Sequence, residues 1–98
     1  MKFVVLFEDQ PGTGMEFRLK HMPEHLDFLD RNAEAITAAG PLKKDDGELD
    51  GGLWLVEAEN SAAVQDLVEE DPFWSVGLRK SVRILVWNQV FADGRRLI

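Results

Sequence analysis

Residues Phe3-Val-Val-Leu-Phe7 form an unbroken apolar run ended by Glu8, Asp9 and Pro11-Gly12, a pattern that predicts a strand closed by a turn. Side chains alternate along a strand, so Phe3, Val5 and Phe7 point one way and Val4 and Leu6 the other, and both faces need a cover. Met15 to Lys20 predicts a turn or two of helix, and Pro23 suits the first position of a new one. From there Leu26, Leu29 and Ala33 share one helical stripe, Asp27, Asp30, Arg31 and Glu34 mark the wet side, and His25 sits at the stripe's edge.

Ile36 to Leu42 reads as a short strand, Lys43 to Gly52 as a polar hairpin loop, and Leu53 to Ala58 as a third strand. Ser61 is a candidate N-cap for a helix over Ala62–Glu69 that turns Val64, Leu67 and Val68 to one side. Pro72 breaks that helix, Gly77 ends the short turn after it, and a last strand is predicted from Lys80 to Phe91. Val82, Ile84 and Val86 lie on one face of it and Leu85 and Trp87 on the other. Residues Asp93 to Ile98 read as a surface extension suited to clip onto a partner chain.

This order of elements predicts a ferredoxin-like βαββαβ unit of the α+β class, with an antiparallel sheet and two helices on one face, filling residues 1–98 as a single domain. Three of the four strands are apolar on both sides, and no element remains to cover the second face. The economical cover is a homodimer in which two sheets pack face to face.

Charge narrows the partners. Eighteen acidic residues against eleven basic ones give a net charge of -7, with the basic ones scattered, which argues against nucleic acid and anionic membrane surfaces. The absence of cysteine removes thiolate nucleophiles, thiolate metal sites and disulfides. The N-terminal apolar run is too short and too quickly acidic for a signal peptide, which makes the cytoplasm the expected location.

Several patterns fall short of a site. Gly12-Thr-Gly14 lacks the Lys-Ser/Thr ending or third glycine of a phosphate loop. His21 and His25 have i, i+4 spacing but no third ligand, and Asp45-Asp-Gly-Glu-Leu-Asp50 lacks the alternating ligands of a calcium loop, so neither metal nor any other cofactor is expected. Ser61, Ser75 and Ser81 sit in no motif of an activated nucleophile. His25 is the residue best suited to chemistry, because an imidazole titrates near neutral pH; the plain alternative is a helix-boundary histidine bonded locally. Asp71 before Pro72 is a good N-cap for a short helix. Phe73 and Trp74 read first as core and second as walls of an apolar pocket, and Arg18 reads as a surface charge or an anion holder in the same cleft.

Arg18 seven residues ahead of His25, Pro23-Glu-His-Leu26, Ala39-Gly-Pro-Leu42 and Asp71-Pro-Phe73 followed by Gly77-Leu78 together resemble the YCII-related domain family over nearly the whole chain. Met22 stands where many members have arginine. The resemblance implies a dimeric α+β barrel related to the muconolactone-isomerase-like group, with His25 and Asp71 paired in a cleft. The family includes a dehydrochlorinase of a chlorinated hydroxyquinol, which implies acid–base chemistry on ring compounds. The expected function is a small cofactor-independent enzyme using His25 and Asp71 for elimination, isomerisation or decarboxylation of a small cyclic or aromatic compound. A non-catalytic ligand-binding or assembly module of the same fold is the alternative, and haem binding through His25 is a third.

Overall fold

The computed structural model describes residues 1–98. The first strand, β1 (Lys2–Asp9), leads into α1 (Met15–Arg31), β2 (Ile36–Lys43), β3 (Leu49–Glu57), α2 (Ser61–Glu70), the short α3 (Pro72–Ser75) and β4 (Arg79–Val86). The sheet order is β2-β3-β1-β4 with every neighbouring pair antiparallel, the ferredoxin-like arrangement expected from the sequence. A small hairpin follows, β5 (Phe91–Ala92) and β6 (Arg95–Arg96), where the sequence suggested one long final strand.

Strand parity decides the core. Phe3, Val5 and Phe7 of β1 and Trp54 and Val56 of β3 are buried with Ile36 beneath Phe28 of α1 and Val64 and Val68 of α2. Each fully buried side chain of this size contributes about 1.5–3 kcal/mol of transfer free energy before entropy is counted. On the opposite face Val4, Leu6, Leu53 and Leu55 are half-buried and Leu85 is exposed, and no helix covers them.

α1 departs from the sequence expectation in two ways. It runs without interruption through Pro23, which lies inside the helix and not at its start. The proline removes one N–H from the helical ladder, and it does so on the exposed side of the helix, where water can serve the freed Leu19 carbonyl. The buried positions are Arg18, His25 and Phe28, while Leu26 is half exposed to solvent and Ala33 is exposed. The helix therefore presents polar side chains to the interior over half its length, and the apolar stripe lies beside the buried face. The N-cap of α2 is Asn60, whose Oδ1 accepts from Ala63 N–H at 2.9 Å, so Ser61 is already the first helical residue. The loop between β2 and β3 is shorter than expected, because β3 begins at Leu49. No helix is long and apolar enough to cross a membrane.

Candidate active site

Three strand ends meet at one end of the sheet. β1 brings Phe7 and Asp9, β3 brings Gly51 and Gly52, and β4 brings Arg79, while α1 lies across them with Arg18 and His25 and α3 closes the side with Asp71 and Phe73. Asp71 ends α2 and caps α3: its Oδ1 accepts from Phe73 N–H at 3.1 Å, with Pro72 at the first helical position. The same oxygen lies 2.7 Å from His25 Nδ1. An ionised carboxylate only accepts, so Nδ1 carries the proton and donates it, which leaves Nε2 without a protein partner in a residue that lines the cleft. Phe73 stacks on the imidazole with ring centroids 3.9 Å apart and planes 7° from parallel, fixing the ring's tilt.

Beside this pair lies a buried charge cluster. Asp9 sits between two guanidiniums, with Oδ2 at 2.7 Å from Arg18 Nη2 and Oδ1 at 3.1 Å from Arg79 Nη1. Arg79 also lies over the Phe7 ring at 4.1 Å and near Phe73 at 5.2 Å, with Arg18 5.7 Å from the Phe73 centroid. Burial holds the Arg79 pKa below the ordinary guanidinium range, against the opposing pull of Asp9 and Asp71. The Nε atoms of both arginines and Oδ2 of Asp71 are buried without a hydrogen-bond partner. A side chain at Gly52 would place its Cβ 3.1 Å from Arg79 Nη1, a tight contact that the glycine avoids.

The cleft formed here has a volume of about 120 Å³ and opens between α1 and the edge strand β2. Met22, Leu26 and Leu29 form one rim and Ala39-Gly40-Pro41 the other, with Arg18, His25, Trp54, Phe73 and Arg79 as its inner wall. Cavities on the order of 150 Å³ hold benzene, so the cleft is on the scale of a single six-membered ring.

Of the residues singled out in the sequence, Arg18, His25, Asp71 and Phe73 come together. Trp74 does not: it is half-buried against the hydrophobic core and contributes nothing to the cleft lining. His21 is set apart on α1, tilted against Phe17 with ring centroids 5.0 Å apart. Asp9 and Arg79 escaped the sequence reading. Asp9 was within reach, because it shares the odd parity of Phe3, Val5 and Phe7 and so belongs to the buried face. Arg79 was hidden by a bulge: Glu8 pairs with Ser81 but Asp9 pairs with Arg79, a slip of one residue that turns Arg79 inward where unbroken alternation would turn Lys80.

The YCII-related domain model matches residues 1–88. Among solved structures, 5-chloro-2-hydroxyhydroquinone dehydrochlorinase from Burkholderia phenoliruptrix, in complex with 2,5-dihydroxybenzoquinone, is 29% identical with a TM-score of 0.77 over 90% of this chain and 94% of that one. An uncharacterised NIPSNAP domain protein from Burkholderia xenovorans, 16% identical, superposes with a TM-score of 0.52 over 94% of this chain and 97% of that one, a likeness of fold alone. No curated protein matches the chain.

Proposed function

Because this chain belongs to the YCII-related domain family, we propose that it is a small cofactor-independent enzyme that moves protons on a hydroxylated ring compound, with His25 as general acid and base. The observation that carries this reading is the 2.7 Å hydrogen bond from His25 Nδ1 to Asp71, set beside a cleft the size of one ring. The dehydrochlorinase, seen in complex with a dihydroxylated quinone, supports the choice of substrate class.

The geometry supports the following chemistry. A ring hydroxyl facing Nε2 transfers its proton there, leaving a ring oxyanion and an imidazolium held by Asp71. The imidazolium returns that proton to a ring carbon, which completes a ketonisation. From the keto form, loss of a proton and a leaving group such as chloride gives elimination, and a shift of the double bond gives isomerisation. Arg18 and Arg79 line the same cleft and supply positive charge that would stabilise a ring oxyanion, and Phe73 and Trp54 give it an aromatic wall. The uncovered apolar sheet face further supports a homodimer formed through that face, the dimeric α+β barrel.

The test is turnover of chlorinated and unchlorinated hydroxyhydroquinones, read as chloride release and ring absorbance, with calorimetric binding of 2,5-dihydroxybenzoquinone alongside. The expected result is turnover by the parent protein and a loss of at least about 10²-fold in kcat for His25→Ala, with quinone binding kept. Equal turnover by parent and variant would remove His25 from the chemistry. Quinone binding with no turnover of any ring by the parent would leave a binding module.

A further inference from the structure

The final ten residues leave the body of the molecule. Trp87 N–H donates to the Lys2 carbonyl at 2.8 Å, and beyond it the backbone hydrogen bonds close on themselves: Phe91 pairs with Arg96, Ala92 with Arg95, and Leu97 N–H donates to Val90 at 2.9 Å. Asp93 and Gly94 both have positive φ, +52° and +76°, the conformation of a tight type I′ hairpin for which Asp-Gly is a favoured sequence. The hairpin is thus specified by the sequence and is not a frayed end.

Such a hairpin gains little stability alone, since two strands in water are marginal. This one also leaves Val90, Phe91, Leu97 and Ile98 exposed, Ile98 at 87% and Phe91 at 58%. The match to the family model stops at residue 88, ahead of the arm. Its charge differs from the rest as well. Arg95 and Arg96 against Asp93 give residues 89–98 a side-chain charge of +1, which leaves -8 on residues 1–88 of a chain that totals -7.

We propose that residues 89–98 are a clasp for a second copy of this chain, gripping it as it packs on the open sheet face. The occupant follows from continuity and charge. Leu85 on that open face and the exposed Trp87 after it lead the chain directly into the arm, so the arm continues the strand that carries part of the open apolar face. A copy seated on the sheet lies within the arm's reach, and its strongly acidic body attracts the arm's two arginines. The inference rests on self-association through the sheet face, as read above, and adds a separate element to it.

The two are separable by sedimentation equilibrium at several concentrations and two salt levels. A chain ending at Asn88 and a full-length Phe91→Ser/Leu97→Ser variant would each be compared with the parent, with circular dichroism confirming the fold. The expected result is a dimeric parent and a dimer dissociation constant raised at least tenfold in both variants. Arg95→Glu/Arg96→Glu would weaken the dimer more at low salt than at high salt. A dimeric parent whose dissociation constant ignores both the truncation and the double serine variant would overturn the clasp and leave the sheet-face dimer standing. A parent monomeric throughout would overturn both.

Discussion

Asp71 serves two donors with one oxygen: Oδ1 receives both His25 Nδ1–H and Phe73 N–H, so the residue that caps α3 also sets the imidazole tautomer. Cap and orienting group, alternatives in the sequence, are here the same atom. Asp71→Asn keeps an oxygen for the cap but loses the charge that holds an imidazolium. We expect kcat to fall about 10²-fold or more with little change in melting temperature, and nitrogen-edited NMR of the ring to report whether Nδ1 still carries the proton; parent-like turnover would dismiss Asp71 from the mechanism. At this scale the sequence was legible where chemistry and periodicity agreed. His25 and Asp71 stood out by residue type and motif; Asp9 was missed although its parity marked it, and Arg79 depended on a bulge that no local pattern announces.

The helix α1 illustrates what propensity cannot decide. Pro23 and the apolar Leu26, Leu29 and Ala33 suggested a helix that begins at the proline and buries that stripe. The observed helix begins at Met15 and buries Arg18, His25 and Phe28 instead, because the partners of the two polar side chains, Asp9 and Asp71, come from β1 and the α2–α3 junction. A buried charge is tolerable only when such partners exist, and they are invisible in a window around the helix. The proline is a local cost accepted by tertiary packing. Pro23→Ala restores the N–H to the ladder at an exposed position and should stabilise the protein by about 1–3 kcal/mol. At roughly 4–8 °C per kcal/mol for a domain of this size, thermal unfolding reads that directly. A lower melting temperature would mean that the fixed backbone angle of the proline is itself needed to seat His25.

For the molecule as a whole, the double apolarity of the strands carried the most information. It carried the prediction that one face seeks a partner, and the order of elements carried the α+β fold with its antiparallel sheet, while the small terminal hairpin falls where a strand to Phe91 and a surface extension over Asp93–Ile98 were expected. Leu55→Glu places a charge near the middle of the open face beside Val4. It should leave the monomer folded, since the side chain points away from the helices, and shift a dimeric parent to monomers in sedimentation; an unchanged dimer would move the interface elsewhere. The consequence that reaches furthest comes from the glycine pair in β3. Gly51, with a positive φ, and Gly52, against Arg79, shape the backbone around the two arginines, whereas Met22, Leu26 and Pro41 across the cleft are rim side chains with no part in that charge network. The site thus separates a fixed electrostatic anvil from an interchangeable die: substrate range can drift, by selection or by design, through three apolar positions while the proton-handling machinery stays untouched.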